Sequence, residues 1–437
     1  MPFQLSAQIY TNLSLHGILQ ELKIVYYFSM KMNETPSANR VHIAFFGRRN
    51  TGKSSLVNAV TGQNLALVSD VKGTTTDPVY KAMELLPLGP VVIVDTPGFD
   101  DEGELGELRV QRTKRVLNKS DAAVLVLEMG LPAADTALLP DEQELVGIFK
   151  ERKIPYIIVR NKCDICGTVP AGGFYGGVEI LPVSAKTGFN VNLLKEKIAA
   201  AMPDEPDKRL VADLIRPLDM VVLVIPIDKA APKGRLILPQ QQVIRDILEA
   251  GGAAIAVRES ELERTLANLV GKKPALVITD SQVFAQVSAI VPQDIPLTSF
   301  SILFARYKGF LETALRGAAA LDTLQDGDKI LVCEGCTHHR QCDDIGTVKI
   351  PRWIKSKSAK EPHFSFCSGG DFPEDLSAYK LIIHCGACML NEREMQHRRR
   401  QAESQNVPFT NYGIAIAHIQ GILKRSVAML DIKGINL

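Results

Sequence analysis

Val41-His42-Ile43-Ala44-Phe45-Phe46-Gly47-Arg48-Arg49-Asn50-Thr51-Gly52-Lys53-Ser54-Ser55 decides the fold of this 437-residue chain. The first six residues read as a strand, the next six as a glycine loop, and a helix starts near Ser54. This is the G-x-x-x-x-G-K-[ST] phosphate loop in the context it requires. Gly47 and Gly52 let the backbone curl, so that N–H groups along the loop, Thr51 included, turn toward a polyphosphate. Lys53 is placed to neutralise the β- and γ-phosphates, and the Ser54 hydroxyl to ligate Mg²⁺. The helix that opens through Ser54 and Ser55 adds its own partial positive charge. The stretch predicts binding of a nucleoside triphosphate.

Downstream, short β-rich runs alternate with helical patterns to about residue 200, the mark of a mostly parallel sheet with crossover helices. The runs cover 41–46, 91–94, 122–127, 154–160 and 178–183. Ligands of such sheets sit beyond the carboxyl ends of the strands, and further motifs fall there. Val91–Val94 leads into Asp95-Thr96-Pro97-Gly98, where Asp95 can hold Mg²⁺ and the Gly98 N–H can meet a γ-phosphate. Ile157–Arg160 leads into Asn161-Lys162-Cys163-Asp164. A carboxylate at Asp164 can accept two hydrogen bonds from the Watson–Crick edge of guanine, a donor pair that adenine lacks, so GTP is preferred over ATP. Ser184-Ala185-Lys186 then supplies a backbone contact to the base.

This set resembles the P-loop GTPases of the translation-factor-related class, in the branch of tRNA-modifying and ribosome-assembly GTPases. The resemblance covers residues 41 to about 202. It implies that Thr75, within Gly73-Thr74-Thr75-Thr76-Asp77, ligates Mg²⁺ in the triphosphate state. It also implies that Asn50 helps to hold an activating K⁺. Lys53, Thr75, Asp95 and Gly98 form the expected catalytic set. Signalling GTPases place a water-orienting Gln after the Asp-x-x-Gly glycine, whereas this chain has Phe99, so slow hydrolysis is expected. The acidic loop Asp100-Asp101-Glu102 reads as solvated.

The composition allows large cores: 46% of residues are hydrophobic and the formal net charge is +1. Nothing global calls for a nucleic-acid partner. Arg398-Arg399-Arg400, the one compact basic run, reads as a solvated helix face. No run approaches the ~20 apolar residues that span a bilayer, and a secretory signal is not expected. A cytoplasmic protein without membrane contact follows. Met30 and Met32 suggest that residues 1–31 are an N-terminal extension. Eight cysteines suit a reducing compartment.

A linker at 203–207 precedes a region with strands at 220–225, 253–257 and 275–278, helices at 239–250 and 259–269, and no catalytic motif. A small α/β domain with open strand edges suits homodimerisation. Six of the cysteines then crowd the last quarter. Cys333-Glu334-Gly335-Cys336-Thr337-His338 follows one apolar run, and His384-Cys385-Gly386-Ala387-Cys388 follows another. Two inorganic readings remain open on spacing. One is a structural zinc site of Cys333, Cys336, Cys385 and Cys388. The other is an iron–sulfur cluster on Cys336, Cys385 and Cys388, with His338 or His384 as a weaker fourth ligand.

The pattern Cys336-x-His338, then His384-Cys385-x-x-Cys388, is similar to that of the HydF family, the maturation GTPases of [FeFe]-hydrogenase. Asn33–Arg40, Gly369–Pro373 and Asn411-Tyr412-Gly413 extend the resemblance over about residues 32–437. It implies an α/β architecture in three parts: a P-loop GTPase domain (32–204), a small α/β dimerisation domain (205–300) and an α/β iron–sulfur cluster-binding domain (301–437). It also implies a [4Fe–4S] cluster on Cys336, Cys385 and Cys388, carriage of a di-iron unit, and as partners the hydrogenase apoprotein and the radical-SAM maturases. The alternative is a ribosome- or tRNA-associated GTPase with a structural zinc site.

Overall fold

The computed structural model describes residues 37–62, 78–99, 113–130, 138–165, 173–203, 208–227, 236–269, 271–335, 344–430 and 432. Thr75, Cys336 and His338 lie outside these residues, as do Asp100–Glu102, Cys342 and residues 1–31.

The fold is mixed α/β, built on three sheets. The first has the order β2-β3-β1-β4-β5-β7-β6, from β1 (Val41–Phe46), β2 (Val79–Leu85), β3 (Gly89–Asp95), β4 (Ala122–Glu128), β5 (Tyr156–Asn161), β6 (Gly173–Tyr175) and β7 (Val178–Pro182). Its central strands run parallel, and only the edge strands β2 and β6 pair antiparallel. Alternation along the strands sends side chains to both faces. Ile43, Phe45, Val91, Ile93, Val124 and Val126 meet Leu56, Val57 and Val60 of the helix Lys53–Thr61 and Leu194 and Ile198 of Val191–Ala201. Ala44, Phe46, Val92, Val94 and Leu125 meet Leu145, Val146 and Phe149 of Pro140–Glu151 on the other face. With both faces covered, the inner strands read as continuous apolar runs, which is why sequence located them. The edge strands β2 and β6 carried no such signal.

The second sheet has the order β11-β10-β8-β9 and the third β13-β12-β14-β15; both are all parallel. Their strands are β8 (Met220–Val224), β9 (Ala253–Val257), β10 (Leu276–Thr279), β11 (Leu297–Ser299), β12 (Lys329–Glu334), β13 (His363–Ser368), β14 (Leu381–His384) and β15 (Phe409–Asn411). One hydrophobic core joins the two sheets: Val222, Ile278, Phe304 and Leu315 pack in the same cluster as Leu331, Ile382, Phe409 and Ile414. No helix among the described residues is long and apolar enough to cross a membrane.

Candidate functional site

The phosphate loop leaves β1 and feeds the helix Lys53–Thr61. Gly52 stands at φ +85°, and a Cβ there would lie 2.3 Å from the Asn161 amide nitrogen. That amide is why the space is closed. Asn161 Nδ2 donates to Thr51 O at 3.0 Å, while its Oδ1 accepts from Ala185 N–H at 3.1 Å. Asn161 thus ties the phosphate loop to the predicted base-contact segment. Asn50 takes φ +60°, which its short polar side chain tolerates. Lys53 curls over the loop, donating to Gly47 O at 2.8 Å and Arg48 O at 2.6 Å.

Ser54 Oγ donates to Asp95 Oδ2 at 2.6 Å, although 41 residues separate them. Asp95 is 1% exposed, and its Oδ1 is buried without a hydrogen-bond partner. Burial raises its pKa, opposed by the Ser54 hydrogen bond and by Lys53 and Lys81. A carboxylate and hydroxyl in contact, with an orphaned oxygen, fit a hard divalent cation such as Mg²⁺. Sequence reading missed Lys81. It is buried on β2, donates to Asn58 Oδ1 at 2.6 Å and adds positive charge beside Asp95. The inward phase of β2 is the only sequence signal for it.

At the base end, Ser184 Oγ donates to Asp164 Oδ1 at 2.7 Å, and this bond holds the exposed Asp164 carboxyl below its usual pKa. Asp164 is thereby favoured in its ionised, hydrogen-bond-accepting form. Lys162 pairs with Glu128 at 2.8 Å. Phe99 packs against the core cluster of Phe46 and Val94, so its ring has a packing role.

The third sheet gathers the cysteine chemistry at strand carboxyl ends. Cys385 Sγ accepts N–H groups from Gly335 at 3.1 Å and Ala387 at 3.3 Å. In sequence, Gly335 immediately precedes Cys336. The Tyr412 hydroxyl is buried without a hydrogen-bond partner, and its pKa is pushed up by burial and then by Cys385. N–H donors on the sulfur and an orphaned hydroxyl nearby fit an electron-rich metal–sulfur group.

Two expectations meet contrary geometry. Cys333, proposed for a zinc set, is fully buried in the core shared with the second sheet, whereas Cys385 packs against the opposite cluster. Cys333 lies in register with Cys367 on β13 and hydrogen-bonds to it. His384, offered as a fourth ligand, is fully buried with both ring nitrogens engaged. Arg398 Nη1 can only donate, so His384 Nε2 accepts at 3.0 Å and Nδ1 donates to Cys385 O at 3.0 Å. Burial and the Arg398 charge push its pKa down to about 3.

Arg398 is itself a correction to the solvated-face reading, being 1% exposed. It also donates to Glu394 Oε1 at 2.8 Å and Gly369 O at 2.6 Å, and lies 5.0 Å from the centre of the Phe372 ring. The Gly369–Pro373 and Asn411–Gly413 segments gain physical roles here. Asn411 caps the helix Tyr412–Ile419 through Ile414 N–H at 2.8 Å and donates to Ser301 O at 2.9 Å. Gly413 admits Ser301, whose Cβ would be 2.5 Å from an added methyl.

Residues 210–309 match the family model described as the hydrogen maturase F dimerization domain, and residues 312–429 match its tetramerization domain. Residues 42–162 match a model described as a 50S ribosome-binding GTPase. The chain is similar to GTPase Der of Wolinella succinogenes, 35% identical over 180 residues, covering 38% of this chain and 37% of that protein. It is also similar to GTPase Era of Caldanaerobacter subterraneus, 32% identical over 197 residues, covering 40% and 63% respectively. The chain therefore spans less than two thirds of the length of these curated relatives. Among solved structures, Aquifex aeolicus Era bound to GDP and AlF₄⁻ matches 53% of this chain and 98% of its own, at 20% identity and TM-score 0.32.

Proposed function

The chain belongs to the hydrogen maturase F family, and from that premise we propose that it is a GTP-switched scaffold that carries the di-iron unit of the hydrogenase cofactor to apo-hydrogenase. The observation that carries this reading is the union, in one chain, of a GTPase domain with a Cys385-Gly386-Ala387-Cys388 loop whose first sulfur takes two backbone N–H donors.

At the GTP end, Gly47, Thr51, Gly52, Lys53 and Ser55 wrap the phosphates, and Ser54, Thr75 and Asp95 serve Mg²⁺. Gly98 meets the γ-phosphate, and Asn50 serves K⁺. Asn161, Lys162, Asp164, Ser184, Ala185 and Lys186 read the guanine. With Phe99 committed to packing, GTP hydrolysis is slow, and the nucleotide acts as a timer that orders or releases the segments around Thr75 and Gly98.

At the other end, Cys336, Cys385 and Cys388 hold a [4Fe–4S] cluster, with His338 as the remaining histidine for its fourth position. The cluster, when bound, supplies an iron site to which a di-iron unit can be tethered. The protein's residues orient the thiolates and donate N–H groups to sulfur. The domains run 32–204, 205–300 and 301–437, with 1–31 an extension, and the protein works in the cytoplasm with the radical-SAM maturases as suppliers. The half-exposed edge strand β9 suits strand pairing in a homodimer.

The test is the visible and EPR spectrum of anaerobically reconstituted full-length protein, alongside two variants. Lys53→Ala should lower GTP hydrolysis at least about 100-fold and leave the cluster spectrum intact. Cys385→Ser should remove the spectrum and leave hydrolysis within about twofold. A colourless zinc-loaded wild type, or rapid hydrolysis independent of K⁺, would sink the reading.

A further inference from the structure

Lys308 belongs to neither motif. It follows the helix Phe300–Tyr307, within the segment that matches the dimerization model, and it is 3% exposed. Its ammonium donates to Ala387 O at 2.6 Å and also to Leu390 O. Both carbonyls belong to the turn that carries Cys385 and Cys388, 79 and 82 residues away in sequence. Ala387 stands at φ +57°, a left-handed conformation that costs a non-glycine residue about 1–2 kcal/mol. Its N–H is given to Cys385 Sγ and its carbonyl to Lys308, so both peptide groups of the strained residue are fixed. Gln396 Nε2 donates to Lys308 O at 2.6 Å, holding the lysine backbone in turn. The cation so placed attracts the sulfurs of both Cys388 and Cys385.

A buried cation is expensive unless it is hydrogen-bonded and offset by negative charge. Two carbonyl oxygens supply the hydrogen bonds, and two thiolates would supply the charge. Sulfur-bound metal would therefore complete the site electrostatically.

We propose that Lys308 is a positioning residue for the metal-binding turn: its ammonium locks the Cys385–Cys388 conformation and raises the reduction potential of the cluster held there. The inference rests on the iron–sulfur reading above. The lysine enters from outside the third sheet, at the end of the segment that matches the dimerization model.

The experiment uses full-length protein, reconstituted anaerobically as wild type, Lys308→Met and Lys308→Arg. Iron content, EPR spectrum and the redox-titration midpoint are measured for each. Removing a nearby positive charge disfavours the more negative, reduced cluster. Lys308→Met should therefore shift the one-electron equilibrium toward the oxidised form by at least about tenfold, which is 59 mV downward. Lys308→Arg should stay within about threefold of wild type. If Lys308→Met takes up no iron while Lys308→Arg does, the proposal is supported through its positioning part. An unchanged midpoint in Lys308→Met at full iron content overturns it. Equal loss of iron in both variants also overturns it, because charge is then not what the site needs. Failure of the wild type itself to bind a cluster refutes the underlying reading instead, so the two failures are distinct.

Discussion

At the residue scale, the phosphate loop shows how far a motif carries. Gly52 and Lys53 are legible because backbone sign and charge are local requirements of phosphate binding. What sequence does not reveal is what closes the space at Gly52, namely the Asn161 amide. Gly52→Ala meets a left-handed penalty and must displace an amide that bonds Thr51 and Ala185 together. Those losses amount to about 2–3 kcal/mol. GTP affinity should fall about 30- to 150-fold, measured by titration with a fluorescent GTP analogue. An unchanged Kd would show that Asn161 moves aside freely. Lys81 is the opposite case. No motif marks a lysine on an antiparallel edge strand, and only the folding of β2 beside Asp95 gives it an electrostatic role.

At the element scale, the helix Glu392–Ser404 is polar but for Met395 and Ala402, and its run Arg398-Arg399-Arg400 reads as a solvated face. In the fold Glu394, Met395, Arg398 and Ala402 are buried. The i, i+4 pairing of Glu394 with Arg398 is visible in sequence, but its burial depends on β13, β14 and the Phe372 ring closing over it. Arg398→Met leaves the Glu394 carboxylate, 5% exposed, without its charge partner. Breaking one side of a buried pair costs about 3–5 kcal/mol. Thermal unfolding followed by circular dichroism should show a lowered Tm, with Arg398→Lys intermediate. A variant as stable as wild type would mean that water reaches Glu394 readily.

At the scale of the whole molecule, the first sheet docks on that same helix through the amino ends of its strands, away from the GTP loop. Asn391, the helix cap, donates to Lys119 O at 2.6 Å, and Arg393 pairs with Asp121 at 3.3 Å. His42 at the start of β1 sits between them, bonded through Nδ1 to Arg40 O at 2.9 Å and flanked by Asn391. Burial, then the nearby Lys119 charge, hold its pKa down to about 4 from the usual 6.5, opposed by the Arg40 carbonyl. A neutral His42 therefore contributes stability that is full above about pH 6.5 and is lost as pH falls toward 4. Tm should drop between pH 7 and pH 5, and His42→Gln should drop less; parallel curves for the two proteins would refute the assignment. The amino-acid sequence by itself determined the GTP loop, the parallel character of the first sheet and the cysteine turn after β14. Each rests on local backbone geometry or on strands buried along their whole length. Only the tertiary structure decided that Cys333 is buried against Cys367, that His384 is locked by Arg398, and that Lys308 reaches into the cysteine turn. Those outcomes depend on which faces of separate elements meet, and neither spacing nor periodicity encodes that.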